Sequence, residues 1–149
     1  MKLGSGNRTW WASFVLAVAG LINAVYLTWV KLANAYASCL GIGDCELVNQ
    51  SRFAEFWGQP VALWGALSYL VIVLALVAER RLLPAREIGP LVVFGVSTFG
   101  TLYSGYLTYI EVAVLYAICP YCVLSAVIMT VIWGLSILRL RSQVVTEDA

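Results

Sequence analysis

The amino-acid sequence predicts an all-α membrane protein, a four-transmembrane-helix bundle with a short interfacial helix in its first outer loop. Apolar residues make up 62% of the 149 residues, whereas a soluble domain contains roughly 45–50%. Charged residues make up only 11%, and a soluble domain of this size could not bury so much apolar surface. The same composition excludes a disordered chain, and the net charge of +1 argues against a nucleic-acid-binding protein. Because the chain has no histidine, His-based catalysis and His-ligated metals are also excluded.

Four apolar stretches are each long enough to cross a bilayer, which takes about 20 residues of helix. They cover approximately residues 10–30, 60–78, 90–110 and 117–138. Each stretch is continuously apolar rather than alternating, which favours helices over the strands of a β-barrel. The spans occupy most of the chain, so we expect a single integral-membrane domain over residues 1–149.

The basic residues predict the orientation of the spans. Seven of the nine Lys and Arg residues lie in the termini or between the second and third spans. These seven are Lys2, Arg8, Arg80, Arg81, Arg86, Arg139 and Arg141, whereas Lys31 and Arg52 lie in the other connections. By the positive-inside rule, both termini are cytoplasmic, and the 31–59 loop and the 111–117 connection face outside.

All four cysteines lie at or near the outer face. Cys39 and Cys45 are in the long outer loop, and Cys119 and Cys122 form Cys-Pro-Tyr-Cys at the outer end of the fourth span. An even number of cysteines on the oxidising side predicts two disulfide-forming pairs, although four cysteines allow three connectivities. Pro120 suits the first turn of a helix, so Cys119 lies near the N-cap, where the helix dipole stabilises a thiolate. A CxxC disulfide is readily exchanged, so the four cysteines are the candidate catalytic residues.

Other interpretations of the cysteines stay open. Both pairs can be static disulfides in a non-enzymatic, disulfide-stapled membrane scaffold. All four thiolates can bind zinc, although sulfurs that flank an apolar bundle at a helix start fit such a site poorly, and we expect no metal. A small transporter with structural cysteines is disfavoured because the spans hold almost no ionisable residues.

The outer loop carries a short amphipathic segment over residues 51–57. Phe53, Phe56 and Trp57 share one face of a helix there, and Ser51 can act as its N-cap. The segment is too short to span, so it would lie in the interface, either as a lid over the mouth of the bundle or as a simple anchor. Of the polar residues near the spans, we expect Asn23 to join helices and Glu111 merely to mark the outer end of the third span.

Together these residues resemble a known family, the bacterial homologues of vitamin K epoxide reductase. The similarity covers nearly the whole chain and rests on the order of its motifs relative to four spans. The matching motifs are Cys39, Cys45, Ser51-Arg52-Phe53, Gly58-Gln59-Pro60 leading to Gly65, and Cys119-Pro120-Tyr121-Cys122.

The resemblance implies a quinone-dependent thiol oxidoreductase that generates disulfides for oxidative protein folding. Electrons would come from a separate thioredoxin-like or DsbA-like partner, periplasmic or extracellular, and end on a membrane quinone, either menaquinone or ubiquinone. By position, Cys39 and Cys45 would be the shuttle pair of the loop. Cys119 would exchange with a loop cysteine, and Cys122 would face the quinone. The candidate quinone-binding residues are Ser51, Phe53, Trp57, Val61, Trp64 and Ala126.

Two comparisons refine this resemblance. Val61 and Ala126 stand where the vertebrate branch has an Asn and a Tyr that hold the quinone oxygens. The DsbB family has the same chemistry and four spans, but its CxxC lies in the first outer loop, so the reversed order in this chain disfavours it. The implied location is the inner membrane of a bacterial cell, and no nucleic-acid partner is expected.

Overall fold

The computed structural model describes residues 3–36, 39, 41 and 43–148. Within these ranges, four long helices and one short helix form the framework. They are α1 (Leu3–Leu32), α2 (Cys45–Gln50), α3 (Val61–Arg81), α4 (Ala85–Ile110) and α5 (Pro120–Glu147). The four long helices are long and apolar enough to cross a membrane, which confirms the predicted all-α four-helix architecture.

The long helices pack as a closed ring in which helices consecutive in the chain are antiparallel neighbours. Helix α1 packs against α3 and α5, α3 against α4, and α4 against α5. Their shared core contains the fully buried side chains of Tyr69, Ile72, Val93 and Ile132. Large apolar side chains also point outwards, as lipid-facing surfaces require. Examples are Trp11, Ile22, Phe99 and Leu102.

The long helices extend beyond most of the apolar stretches that predicted them. Helix α1 begins at Leu3 and α5 continues to Glu147, because a helix does not stop where its sequence ceases to be apolar. Helix α5 begins at Pro120, later than the expected residue 117. The delay arises because Cys119 has extended backbone dihedrals (φ −98°, ψ 112°) and serves as the N-cap, with Pro120 at the first helical position.

The outer loop contains a short helix, but the predicted position over residues 51–57 is wrong. The helix of this loop is α2, which precedes that segment, because Asp44 caps it by accepting a hydrogen bond from the Leu47 amide (3.3 Å). Ser51 ends α2 and is also the N-cap residue of the 3₁₀ turn that follows, but its hydroxyl donates back to the Val48 carbonyl (2.8 Å) and makes no capping bond to that turn.

The predicted segment itself folds into a 3₁₀ turn and a two-stranded hairpin. The 3₁₀ turn covers Arg52–Ala54, and strands β1 (Glu55–Phe56) and β2 (Gln59–Pro60) pair antiparallel. The connecting residues, Trp57 and Gly58, both have positive φ angles, as tight hairpin turns require. The hairpin therefore replaces the last turn of the expected helix.

The end of the bundle opposite the cysteines is held by polar contacts between helices. Glu79 of α3 forms an ion pair with Arg139 of α5, and both side chains are largely buried. The indole N–H of Trp10 donates to the Leu76 carbonyl (3.1 Å), and the Arg80 guanidinium lies 3.6 Å from the centre of the Trp10 ring. These contacts fix α1, α3 and α5 to one another far from the cysteines.

Candidate active site

The Cys-Pro-Tyr-Cys motif starts helix α5, as the sequence predicted. Cys119 is the N-cap and is only 1% exposed, and both Cys119 and Cys122 are free thiols in this structure. The pKa of Cys119 is lowered, chiefly because the Cys122 thiol donates a hydrogen bond to it and also because the amides of Tyr121 and Cys122 point at it. Burial and the nearby Glu111 carboxylate oppose this effect. Cys119 is therefore the cysteine of this motif that is set up to act as a thiolate.

Glu111 lies in this site, and the expectation that it merely marks the end of a span is wrong. It begins a π-helical turn, Glu111–Leu115, that continues α4, and its side chain is 3% exposed. Its carboxylate accepts a hydrogen bond from the Cys119 amide (3.2 Å), and Glu111 lines the same cavity as Cys122. Its backbone carbonyl accepts from the Ala117 amide (3.1 Å). One residue thus organises the connection between α4 and the CxxC motif.

The sequence does contain a signal that Glu111 is functional, but its position near the membrane interface made it look like an ordinary end of a span. An ionisable residue at the end of an apolar run is a functional candidate by default, because a charge in such surroundings is costly. π-Helical turns are rare and often occur at functional sites. Only the fold shows that the carboxylate turns inwards to the cysteines.

The two loop cysteines form a disulfide next to the CxxC motif. Cys39 and Cys45 are bonded, with their Cα atoms 6.0 Å apart, and the Cys45 amide also donates to the Cys39 sulfur (3.0 Å). Cys45 and Cys119 belong to one buried cluster, with Cys39 and Cys122 at its edge. The Asp44 amide donates to the Ile118 carbonyl (3.1 Å), which holds the loop against the residue before Cys119. The fold thus brings together all four predicted catalytic residues.

A cavity of about 400 Å³ lies beside the CxxC motif, between the long helices and under the outer loop. Cys122 forms part of its wall, whereas Cys119 does not. Five of the six predicted quinone-binding residues line the cavity, namely Ser51, Phe53, Trp57, Val61 and Trp64. Ala126 does not line it, although Ser125 beside it does.

Polar groups are few in this mostly apolar wall. The fully buried Tyr69 hydroxyl donates to the Ser125 carbonyl (2.9 Å) and lies 3.1 Å from the Ser125 hydroxyl. The Asn23 side-chain amide donates to the Tyr121 carbonyl (3.0 Å), so Asn23 joins α1 to α5 as expected and also lines the cavity. Glu111 is the only charged residue in the described lining.

The hairpin of the outer loop closes one end of the cavity with aromatic rings. Phe56 packs edge-on against Trp64 of α3 and Tyr103 of α4, with ring centres 6.2 and 6.4 Å apart. Trp57 is 89% exposed at the tip of the hairpin. Lys31, at the end of α1, ties the loop to the bundle by donating to the Asn49 carbonyl (2.7 Å) and pairing with Glu55 (3.3 Å).

The described residues contain no group of three or more Cys, Asp or Glu side chains arranged to hold a metal ion. What the site offers instead is thiol chemistry, with two adjacent cysteine pairs and a cavity that one of the four sulfurs reaches.

Comparison with known protein families agrees with this site. The model of the Vitamin K epoxide reductase family matches residues 11–137, a range that contains all four cysteines and Glu111. Because the match covers most of the chain, the protein belongs to this family. It is an integral membrane thiol–disulfide oxidoreductase.

Proposed function

We propose that this protein passes electrons from a separate thioredoxin-like partner, through its two cysteine pairs, to a membrane quinone, and thereby generates disulfides in the partner. The observation that carries the proposal is that the CxxC motif lies between the loop disulfide and the apolar cavity. Cys119 packs against the loop disulfide, whereas Cys122 lines the apolar cavity. A pair of thiols with the loop disulfide on one side and an apolar cavity on the other is arranged to pass electrons from the loop to a molecule in the cavity.

Electrons pass through the cysteines in two thiol–disulfide exchanges, after which the Cys119–Cys122 disulfide forms again. The two thiols of the partner reduce the Cys39–Cys45 disulfide and leave as a disulfide. A thiolate of the reduced loop pair then attacks Cys119 of the Cys119–Cys122 disulfide and displaces Cys122, which takes up a proton. The second loop thiolate resolves the mixed disulfide and releases Cys119, whose lowered pKa makes it a good leaving thiolate in this step.

The residues around the cavity fit a quinone. A volume of about 400 Å³ lies within the range of ligand pockets, which is roughly 300–1,000 Å³. Phe53, Trp57 and Trp64 offer aromatic surfaces for a flat ring. Val61 is apolar and Ala126 lies outside the cavity, so the paired hydroxyls of Tyr69 and Ser125 are candidate hydrogen-bonding groups for the head group. A bound menaquinone or ubiquinone supplies the two-electron acceptor, which the amino-acid side chains lack.

The distribution of basic residues supports a location in the inner membrane of a bacterial cell. The end of the bundle that carries the cysteines would face the periplasm or the exterior, with both termini in the cytoplasm. A membrane-impermeant maleimide added to intact cells should label a cysteine introduced at Trp57, the exposed tip of the outer hairpin, whereas a cysteine introduced at the exposed Ser142 should react only after lysis. Labelling of the Ser142→Cys position in intact cells would reverse the orientation.

Anaerobic single-turnover oxidation in detergent tests the function. Purified protein would be mixed with a quinone and either a reduced thioredoxin-like protein or a small dithiol, and quinol formation followed by absorbance. Each cysteine would be changed to Ser in turn. We expect Cys119→Ser and Cys122→Ser to abolish quinol formation with both reductants. Cys39→Ser and Cys45→Ser should retain it with the small dithiol and lose it with the protein reductant.

Two results would contradict the proposal. If the wild-type protein forms no quinol with menaquinone or ubiquinone analogues, the cavity serves another purpose. If all four substitutions lower only thermal stability, the cysteines staple a non-enzymatic scaffold.

A further inference from the structure

We infer that the Glu111 carboxylate is the proton acceptor for Cys122 when the Cys119–Cys122 disulfide closes. This inference rests on the proposed quinone-dependent function for its electron acceptor and adds a residue to it. Three independent observations support it: the burial of the carboxylate, its contacts with the CxxC motif, and its place in the cavity wall.

The first observation is a buried carboxylate without a cation. Glu111 is 3% exposed, and neither ion pair found among the described residues involves it. The other titratable groups that line the cavity are Tyr69, Tyr103 and Cys122, and none of them is cationic at neutral pH. Burial of a carboxylate without a counter-ion is costly, and a carboxylic acid at the end of an apolar span is more simply replaced by an apolar residue unless its proton chemistry is used.

The second observation concerns the single proton of Cys122. Cys122 and Glu111 line the same cavity, and the Glu111 carboxylate accepts from the amide of Cys119, the N-cap of the helical turn that contains Cys122 (3.2 Å). When the S–S bond forms, the Cys119 sulfur becomes part of the disulfide and no longer accepts this proton as a thiolate. Among the charged groups of the described cavity lining, the Glu111 carboxylate is the one bonded to the CxxC motif, so we assign it as the acceptor of this proton.

The third observation is the direction in which the carboxylate can release that proton. Glu111 and Cys122 both line the apolar cavity, and Glu111 is the only charged residue in its described lining. A proton held at Glu111 is therefore at the wall of the cavity that we propose for the electron acceptor rather than in bulk water.

Formation of the Cys119–Cys122 disulfide conserves electrons and protons. One S–S bond forms between Cys119 and Cys122, which together release two electrons and two protons, and these are taken up as a quinone becomes a quinol. Glu111 Oε takes the proton of Cys122 and returns to its ionised form on releasing it. The other proton is the one that Cys119 gave up on ionising, and an equal proton is drawn from solvent.

A purely structural role for Glu111 is the competing explanation, because its carboxylate also accepts from the Cys119 amide and thereby holds the start of α5. Glu111→Gln keeps a hydrogen-bond acceptor for that amide but cannot take up a proton. Glu111→Asp keeps the carboxylate on a shorter stem. Glu87→Gln, an exposed change of the same kind at the other end of α4, is the matched control.

The first test needs no quinone. The reduced protein would be oxidised chemically with diamide, and carboxyl protonation followed by infrared difference spectroscopy. We expect a carboxyl protonation band when the CxxC motif closes in the wild-type protein and in Glu87→Gln, and its loss in Glu111→Gln. A band of unchanged size in Glu111→Gln would overturn the inference.

The second test separates the two half-reactions in single-turnover experiments. We expect Glu111→Gln to slow quinol formation by roughly 10²–10⁴-fold, the usual contribution of a positioned acid or base, with partial recovery in Glu111→Asp. Exchange between the loop pair and the CxxC motif should stay within a few-fold of the wild-type rate. If both half-reactions slow equally and the melting temperature falls, Glu111 is structural and the inference is wrong. If the wild-type protein forms no quinol at all, the proposed function fails, and the infrared band alone decides the role of Glu111.

Discussion

Gly43 lies directly against the backbone carbonyl of Ile118, so closely that a Cβ at Gly43 would overlap the carbonyl oxygen. Gly43 also has a φ angle of +80°, which side chains rarely adopt. The next residue, Asp44, donates its amide to the same carbonyl (3.1 Å). Because Cys45 follows Asp44 and Cys119 follows Ile118, this backbone contact aligns one cysteine pair with the other.

Gly43→Ala should therefore slow electron transfer between the two cysteine pairs. Gly41→Ala is the matched control, because Gly41 has a similar φ angle of +77° but open space around its Cα. We expect at least a tenfold slower exchange between the pairs in Gly43→Ala, with unchanged CxxC oxidation when a small dithiol supplies the electrons directly. Rapid-quench alkylation would measure the exchange. Equal effects of the two substitutions would show that backbone strain matters and the Ile118 contact does not.

The reactivity of Cys119 should depend on its neighbour Cys122. Because the Cys122 thiol is the main cause of the lowered pKa of Cys119, Cys122→Ala should raise that pKa towards the value of an ordinary thiol. The thiolate of Cys119 would then form at a higher pH than in Cys122→Ser, whose hydroxyl still donates. Ultraviolet absorbance of the thiolate across a pH series measures the shift without a reagent that must reach the buried sulfur. Superimposable curves for the two variants would indicate that the helix start, and not Cys122, stabilises the thiolate.

Lys31 should hold the outer loop closed mainly through its hydrogen bond to Asn49. A hydrogen bond from a charged donor is worth about 1.5–3 kcal/mol, whereas an exposed ion pair such as that with Glu55 is worth about 0–1 kcal/mol. Lys31→Met should therefore lower the opening free energy of α2 by the larger amount and Glu55→Gln by the smaller. Amide hydrogen exchange of Cys45–Gln50 provides the measurement. A larger effect of Glu55→Gln would assign the loop contact to the ion pair.

Tyr69→Phe should weaken quinone binding more than it weakens the fold. It removes the hydroxyl beside Ser125 and keeps the buried ring, so the unfolding free energy should fall by only about 1 kcal/mol. We expect the KM for quinone to rise about tenfold with kcat nearly unchanged, the result of losing roughly 1.4 kcal/mol of uniform binding. Tyr106→Phe, on the exposed side of α4, serves as the control. An unchanged KM would place the head group away from Tyr69.

The ion pair between Glu79 and Arg139 should stabilise the bundle without affecting the chemistry. Breaking a buried pair costs about 3–5 kcal/mol, because the remaining charge is left without a partner. We expect this loss for Arg139→Met, whereas Arg141→Met, exposed on the same helix, should stay within about 0.5 kcal/mol of the wild type. Changing both members of the pair to Leu should recover much of the loss. Unfolding in mixed detergents measures all three, and a mild effect of Arg139→Met would show that water reaches the pair.

Local patterns in the sequence determined the helices of this protein and the position of its CxxC motif. Continuous apolar runs cross a bilayer as helices, and Pro120 after Cys119 favours a helix start there, so both features follow from neighbouring residues. The misplaced helix of the outer loop shows the limit of this reasoning. The apolar spacing of Phe53, Phe56 and Trp57 suggested a helix, but the cap at Asp44 and the turn at Gly58 decided the local fold.

Only the tertiary structure decided which groups meet. The apposition of Cys45 with Cys119 depends on the Asp44–Ile118 contact across more than 70 residues, the inward turn of Glu111 depends on a π-helical turn, and the cavity depends on four helices packing as a ring. Such contacts join residues that are distant in the chain, and no period or spacing within one segment encodes them. The sequence by itself therefore determined the spans and the place of the CxxC motif, and the fold determined which cysteines pair and the site they form.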